Sequence, residues 1–411
     1  MLTLPGVSSE MRTWEFWSDD TAELFDAVRS QDNIREGLDD LDLPSKERPP
    51  RAERDQVPCG FLQDGQPWSD ATWSSVVSAT EGALLDDKYG FTVTRANLRT
   101  WPTDFPCYRQ SDDREFDQFQ ETRLHLFEAV RIGASTPDGE WYWVRSQIAS
   151  GWIHRRDVAA ATVAQWERYR KVDATNRLII SANGVATEPQ PYDGAVSNQP
   201  VEYAAWLPLA SGPVPESVGN QHSLGHYVVE FPVRQIDGTL AVRPALIKDD
   251  PRVGIGYLPC SRMSLAKSVF QLLGDRYAWG DLWGTHDCSS LIMDAYRTIG
   301  IQLPRNSSAQ ARYLRTIANW TAADEEPRRI ADLTRARLGD VLTMPGHVLM
   351  FLGIHRGTAY AIHAFVGYGT TVNGQFHTVL VNSVEVSSLS MPTRGGPSYL
   401  QALSGIARVF S

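Results

Sequence analysis

The sequence has little cysteine, no metal-binding motif and no long apolar run. Its 411 residues include four cysteines, at positions 59, 107, 260 and 288, which is too few for a disulfide framework. Neither a Cys-x-x-Cys pair nor a His-Glu-x-x-His motif occurs, and no glycine-rich phosphate loop follows a strand pattern. Apolar runs stay well short of the roughly 18 residues that span a membrane. We therefore expect no metal, no organic cofactor and no transmembrane helix.

Basic residues are outnumbered by acidic ones. The 39 Lys and Arg against 49 Asp and Glu give a net charge of −10, whereas a nucleic-acid binder needs a basic face. The opening MLTLPGVSSEMRTWEFW lacks the charged and apolar regions of a secretory leader. This predicts a cytoplasmic protein, with a periplasmic or secreted protein as the alternative if a leader has been removed.

The composition suits several folded domains. Apolar residues make up 42% and charged residues 21% of the chain, enough to bury a core in each of two to four domains. The amino-terminal part is polar, and Ser18 could cap a helix with apolar residues at Ala22, Leu24, Phe25 and Val28. A charged, proline-containing stretch follows. A second helix is predicted over residues 69–87.

Short aromatic and β-branched runs begin near Tyr89. GFTVTRANLRTWPT, LHLFEAVRIGAS, EWYWVRS and ASGWIHRRDVA have the spacing of strands in a small barrel or sandwich. A second β-rich stretch runs from Arg177 to Gly256.

From residue 257 onward the apolar period becomes helical. MSLAKSVFQLLG places Leu265, Val269 and Leu272 on one helical face, and DCSSLIMDAYRTIG predicts a second helix that stops at Gly300. Strand patterns follow in DVLTM, HVLMFLG, AYAIHAFVG and TVLVNSV. Helices followed by an antiparallel sheet predict an α+β domain.

Cys288 stands where the second of these helices should begin. The helix dipole favours a thiolate there and would lower the pKa of the thiol. The alternative is a structural role, since free cysteine is among the most buried residue types.

Two histidines come into register if HVLMFLG and AYAIHA form one hairpin. Pairing Gly353 with Gly357 around a three-residue loop places His347 opposite His363, and cross-strand partners share a face with Cβ atoms about 4.5–5.5 Å apart. One imidazole could then accept the Cys288 proton while the other orients it, as in a nucleophile–base–orienter triad. The alternative is a chance alignment of two histidines.

These motifs resemble a known family. LLGDRYAWGDLWGTHDCSSLIMDAYRTIGIQLPRNSSAQ, LGDVLTMPGHVLMFLG and AIHAF are similar to the NlpC/p60 family of bacterial cell-wall cysteine peptidases. The resemblance implies a papain-like α+β peptidase domain at residues 257–411. The upstream sequence resembles a subgroup with a helical N-terminal stabilising segment, here 1–87, and two small SH3-like β-barrels, here 88–162 and 163–256. The expected fold class is therefore multidomain α+β.

The resemblance implies roles for seven residues. The catalytic residues would be Cys288 as nucleophile, His347 as general base and His363 as the orienting member, and the substrate-binding residues would be Asp287, Tyr277, Ser289 and Ser307. Asp287 would contact a free α-amine, whose capping would leave a buried carboxylate unpaired; its alternative is a helix N-cap. Tyr277 would lie near the scissile carbonyl or serve as a buried aromatic anchor. Ser289 and Ser307 could equally have ordinary polar roles.

The implied activity is that of a γ-D-glutamyl-L-diamino acid endopeptidase. Such an enzyme cleaves murein stem peptides with a free N-terminal L-Ala between D-Glu and the diamino acid, through a thioester and without a cofactor; we expect it to act as a monomer. Two other classes stay open. One is a cell-wall binding module with an inactive or secondary peptidase domain, and the other is a thiol amidase or acyltransferase acting on another peptide.

Overall fold

The structure, a computed structural model, describes residues 3–17, 38, 40–41, 49–53 and 60–410. The helix predicted after Ser18 and most of the charged stretch lie outside these residues. By packing, the chain forms two units, one of residues 1–38, 257–278 and 285–411 and the other of residues 39–256 and 279–284. The four-domain division expected from the sequence remains a prediction. In the described parts of the chain, no helix is long and apolar enough to cross a membrane.

Helix α1 (Asp70–Glu81) is the second helix predicted near the amino terminus. It begins at Ser69, whose side chain accepts a hydrogen bond from the backbone N–H of Thr72. Trp73 and Val77 are buried in an aromatic cluster with neighbouring loops. The helix ends at Gly82 rather than continuing to residue 87, because the chain enters a β-strand at Leu84.

The first β-rich stretch forms a seven-stranded antiparallel sheet in the order β3-β2-β6-β5-β4-β1-β7. Its strands are β1 (Leu84–Thr92), β2 (Ala96–Arg99), β3 (Gln120–Leu124), β4 (Ala129–Ser135), β5 (Trp141–Arg145), β6 (Ser150–His154) and β7 (Val158–Ala161). Alternating apolar residues, among them Leu98, Ile132 and Val144, form its buried core. The strands predicted here are confirmed.

Residues 163–256 begin with helix α2 (Val163–Tyr169) and continue in short strands. These are β8 (Arg177–Ile180), β9 (Val185–Ala186), β10 (Pro200–Val201), β11 (Trp206–Pro208), β12 (Ser217–Val218), β13 (Gln221–His222), β14 (His226–Arg234), β15 (Leu240–Lys248) and β16 (Val253–Ile255). They pair as the separate small sheets β10-β9, β11-β8-β16, β12-β13 and β14-β15. The β-rich character is confirmed, but a second SH3-like barrel is not.

The other unit contains the α+β domain predicted from residue 257 onward. Its helices are α3 (Arg262–Phe270), α4 (Cys288–Thr298), α5 (Ser307–Tyr313), α6 (Glu326–Leu333) and α7 (Tyr399–Ala402). Its strands are β17 (Arg315–Asn319), β18 (Val341–Met344), β19 (His347–His355), β20 (Thr358–Val372), β21 (Gln375–Ser388) and β22 (Gly405–Arg408). They form one antiparallel sheet in the order β17-β22-β18-β19-β20-β21.

Helices α3 and α4 match the sequence prediction. Leu265, Val269 and Leu272 are all fully buried. Helix α4 stops just before Gly300, whose φ of +86° favours glycine. Every residue from Cys288 to Thr298 is buried, so α4 lies in the interior of this unit.

The β19–β20 hairpin differs from its predicted register. Its turn has two residues, Arg356 and Gly357, both with positive φ, between the paired residues His355 and Thr358. Two-residue turns of this kind match the twist of the flanking strands better than the three-residue loop that we expected.

The hairpin ladder is also irregular in its middle. Gly353 pairs with Tyr360 rather than with Gly357. The register then shifts across Leu352, so that Phe351 pairs with Ala361 and Met350 with Ile362. The predicted Gly353–Gly357 and His347–His363 pairings are therefore wrong.

Residues 3–17, with a short 3₁₀ helix at Glu10–Arg12, pack against strands β20 and β21. The Tyr360 hydroxyl donates a hydrogen bond to the Gly6 carbonyl over 2.9 Å. Arg12 forms an ion pair of 3.1 Å with Glu385. These contacts attach the segment to strands β20 and β21.

Candidate active site

Asp287 caps helix α4 and places Cys288 at its first turn. One oxygen of its carboxylate, Oδ1, accepts hydrogen bonds of 3.0 Å from the backbone N–H groups of Ser289 and Ser290. The Asp287 N–H in turn donates to the Ser290 hydroxyl over 3.0 Å. This reciprocal capping arrangement fixes the backbone on both sides of the thiol. The interpretation of Asp287 as a helix N-cap is therefore confirmed.

Arg305 pairs with the same carboxylate through two nitrogens. Its Nη2 lies 2.7 Å from Oδ2 of Asp287 and its Nη1 lies 3.2 Å from Oδ1. Nη1 also donates to the Ser289 hydroxyl over 3.0 Å. Burial raises the pKa of Asp287, but Arg305 and the hydrogen bonds from Ser290 and Ser289 outweigh it and hold that pKa below its usual value. The expectation that this carboxylate lacks a cation until substrate binds is therefore wrong.

The Cys288 thiol is buried, with 7% of the residue exposed. Burial and the nearby Asp287 charge raise its pKa to about 12, although hydrogen bonds from the backbone of Val348 and Ser289 favour the thiolate. The expected lowering of this pKa by the helix dipole is thus outweighed by desolvation. The Val348 contact also shows that the thiol lies against the start of strand β19.

His347 and His363 lie side by side despite the corrected register. His347 Nε2 is 2.8 Å from His363 Nδ1. If the Phe351–Ala361 register continued, His347 would face Phe365, and His363 is the diagonal neighbour on the same face. Burial lowers the pKa of His347 to about 4, and burial together with His347 lowers the pKa of His363 well below its usual value. Both imidazoles are therefore neutral at neutral pH.

Three further side chains hold His363. Its Nε2 lies 2.8 Å from the Ser387 hydroxyl on strand β21. Phe365 stacks on the imidazole with ring centres 4.1 Å apart and planes 6° apart, and Tyr399 contacts it edge-on at 5.1 Å. His363 is completely buried. Its ring plane and both ring nitrogens are thus constrained.

The remaining predicted residues are Tyr277, Ser289 and Ser307. Tyr277 is buried and forms a parallel bridge with His286, two residues before Cys288. Ser289 is part of the Arg305 network already described. Ser307 is the first residue of helix α5 and is half-buried. Tyr277 and Ser289 thus lie near the start of helix α4, and the roles of all three residues toward a substrate stay predictions.

Sequence reasoning missed Arg305, Ser387, Phe365 and Tyr399. Arg305 stands two residues before Ser307 in LPRNSS, but nothing in the pattern indicated its carboxylate partner. Ser387 and Tyr399 are far along the chain from His363, and only the register of β20 with β21 and the placement of α7 bring them to it.

Comparison with protein families identifies two segments. Residues 274–392 match the NlpC/P60 family, and residues 106–154 match an SH3 domain of the SH3b1 type. The first match contains Cys288, His347 and His363, and the second covers strands β3 to β6. A comparison with curated proteins found no match.

Solved structures with similar folds include an NlpC/P60 endopeptidase from Photobacterium damselae subsp. piscicida. It is 17% identical, with a TM-score of 0.68 over 92% of this chain and 83% of that chain. An NlpC/P60 family protein from Bacillus cereus is also 17% identical, with a TM-score of 0.52 over 79% of this chain and all of that chain. At these identities the likeness establishes the fold.

Proposed function

We propose that the carboxy-terminal domain, of which residues 274–392 match the NlpC/P60 family, is a cysteine peptidase that hydrolyses the γ-D-glutamyl–diamino acid bond of murein stem peptides. The proposed substrate carries a free N-terminal L-Ala, and the reaction passes through a thioester on Cys288. The observation that carries this proposal is the 2.8 Å contact between His347 and His363 beside the buried start of helix α4.

The proton positions follow from that contact. Nε2 of His347 is engaged by His363, so Nδ1 is the nitrogen left to accept the thiol proton. Because the pKa of Cys288 is raised to about 12 and that of His347 is lowered to about 4, the resting pair is a neutral thiol and a neutral imidazole. His347 therefore acts as a general base during attack.

The reaction then proceeds in two halves. The sulfur attacks the γ-carbonyl carbon of D-Glu as His347 takes the thiol proton, and the backbone N–H of Cys288 at the helix start is positioned to stabilise the oxyanion. His347 gives its proton to the departing amine of the diamino acid, which leaves a thioester. Water, deprotonated by His347, hydrolyses that thioester and restores the Cys288 thiol.

The acidic residue beside the nucleophile supports recognition of a substrate amine. Asp287 is buried and ionised, and an ammonium group that shares its carboxylate with Arg305 gains a charge-assisted hydrogen bond in a desolvated site. Since Arg305 already balances the charge of Asp287, the substrate amine joins an existing ion pair rather than providing the first cation for the carboxylate.

The test is product analysis by mass spectrometry on defined murein tri- and tetrapeptides. We expect L-Ala-γ-D-Glu and a free diamino acid or diamino acyl peptide as products, with water as the acceptor even when an amine is added. Cys288→Ala should abolish hydrolysis while the thermal midpoint stays nearly unchanged. Residual activity of a tenth or more in that variant contradicts the nucleophile assignment.

The same experiment separates the competing classes. Transfer of L-Ala-γ-D-Glu to an added amine identifies an acyltransferase. Binding of the Cys288→Ala variant to insoluble murein, with no hydrolysis by the wild-type protein, identifies a binding module.

A further inference from the structure

The hydrogen-bond chain of the site does not end at His363. His347 Nε2 lies 2.8 Å from His363 Nδ1, and His363 Nε2 lies 2.8 Å from the Ser387 hydroxyl. His363 and Ser387 are both fully buried. In such a place a ring N–H without an acceptor is costly, so each ring N–H between the two imidazoles and Ser387 must point at a partner.

The chain can hold its protons in two directions. In one, His347 carries its proton on Nε2 and donates to His363, which carries its own on Nε2 and donates to Ser387. In the other, the Ser387 hydroxyl donates to His363 Nε2, so His363 donates from Nδ1 to His347 Nε2. A serine hydroxyl serves either direction because it is both donor and acceptor.

Only the first direction suits the proposed reaction. It leaves Nδ1 of His347 with a lone pair for the thiol proton. In the second direction the neutral His347 has its proton on Nδ1 and cannot act as a base at that atom. When His347 becomes doubly protonated it must donate from Nε2 to His363 Nδ1, which again requires the His363 proton to be on Nε2.

We propose that Ser387 is a positioning residue that accepts the Nε2 proton of His363 and thereby holds His347 in its base-competent form. This inference rests on the proposed function of the site. It makes the catalytic machinery a four-membered chain, Cys288–His347–His363–Ser387, in which Ser387 acts only through His363 and touches no substrate.

Other charged or titratable groups near His363 do not replace Ser387. The cross-strand partner of His363 is Glu385, which forms its ion pair with Arg12. Tyr399 meets the ring by its edge and Phe365 covers a face. Asp287 interacts with His347 rather than with His363. Ser387 is therefore the hydroxyl placed to receive the Nε2 proton.

The experiment compares Ser387→Ala, Ser387→Thr and Ser388→Ala with the wild-type protein. Ser388 is the matched control, since it is the next buried serine on β21 and its hydroxyl hydrogen-bonds to Ser390 over 3.0 Å. We expect Ser387→Ala to lower kcat on L-Ala-γ-D-Glu-diaminopimelate about 10- to 100-fold, with KM little changed. Ser387→Thr, which keeps the hydroxyl, should restore most of kcat, and Ser388→Ala should stay near wild type.

A spectroscopic measurement tests the proton positions without any substrate. In ¹⁵N-histidine-labelled protein, His363 should have the Nε2–H tautomer in the wild type and in Ser387→Thr, and should lose it at least in part in Ser387→Ala. Thermal unfolding verifies that all variants are folded.

The outcomes separate this inference from the proposed function. A Ser387→Ala variant with kcat within twofold of wild type, or with an unchanged His363 tautomer, overturns the role of Ser387. If the wild-type protein cleaves no murein peptide, the proposed function fails, while the tautomer change in Ser387→Ala still decides the inference.

Discussion

Arg305 offers the sharpest test of how this site is held together. The side chains of Arg305 and Asp287 are only 3% and 12% exposed, and two guanidinium nitrogens contact the carboxylate. Arg305→Met keeps much of the volume and removes the charge. It removes the guanidinium from a buried carboxylate that still accepts hydrogen bonds from Ser289 and Ser290.

Breaking a buried ion pair on one side typically costs about 3–5 kcal/mol. We expect a loss of this size in the free energy of unfolding of the unit that contains Arg305. The double variant Arg305→Met/Asp287→Asn should recover about 1–3 kcal/mol relative to Arg305→Met, because the uncompensated charge is gone while an amide oxygen still caps helix α4.

Urea unfolding at pH 7 measures these differences, with a probe assigned to each unit because the chain forms two of them. Arg335→Met is the matched control. Arg335 pairs with Asp332 on the surface, where its side chain is 57% exposed, and its loss should change the free energy of unfolding by less than about 1 kcal/mol. An Arg305→Met variant as stable as this control would show that the buried Asp287 carboxylate does not need Arg305 and that desolvation does not dominate the site.

Three further predictions concern pH and the substrate. Burial lowers the pKa of His347 to about 4. The value of kcat/KM for murein tripeptide should therefore fall at acidic pH with a midpoint near pH 4. A midpoint near the usual histidine pKa of about 6.5 would contradict a buried neutral base. The lowered pKa of His347 also affects stability. Between about pH 6.5 and pH 4, His347 is protonated in the unfolded chain but not in the native protein, so the free energy of unfolding should decrease as the pH falls through this range. N-acetylation of L-Ala-γ-D-Glu-diaminopimelate should suppress cleavage, since the acetylated nitrogen cannot form the ammonium contact with Asp287. Equal kcat/KM values for the acetylated and the free peptide in a competition assay would contradict amine recognition.

Much of the α+β domain could be predicted because its elements have strong local patterns. Helix α4 begins at a capping Asp and ends before a Gly with positive φ, so both of its ends are encoded within a few residues. Part of strand β19, residues 348–352, is a continuous buried apolar run typical of a sheet that is covered on both faces. The strands of residues 163–256 are two to nine residues long, and β8 pairs with the distant strands β11 and β16, which is why composition indicated β structure there but not its arrangement.

The electrostatics of the site could not be predicted from one helix end. Sequence position suggested that the helix dipole lowers the pKa of Cys288, but every residue of α4 is buried. Desolvation of an anion in such a place exceeds the stabilisation of about 0.3–1 kcal/mol that a helix end usually supplies. Arg305 was missed for a related reason, since a buried ion pair is a property of the assembled core.

The prediction that His347 and His363 are neighbours held although the pairing on which it was based was wrong, and the parity of the register explains this. Near the turn, paired residue numbers of β19 and β20 sum to 713, as for Gly353 and Tyr360. If pairs with this odd sum continued as far as His347, the partner of His347 would be an odd number of residues away from His363. Since side chains alternate along a strand, His347 and His363 would then point to opposite faces of the sheet. The register shift across Leu352 changes the sum of paired residue numbers to 712. The predicted Gly353–Gly357 pairing has a sum of 710, and because the two sums differ by an even number, both histidines still point to the same face.

The irregularity at Leu352 is thus a requirement of the site. A regular ladder from the Arg356–Gly357 turn would put His347 and His363 on opposite faces of the sheet. Ser387 pairs with Ala361 and would keep the His363 face of β20, so only the link from His347 to His363 would be lost. Small changes in strand pairing therefore decide whether the hydrogen-bond chain from His347 to Ser387 exists, and the bulge is the feature that places the two imidazoles on one face.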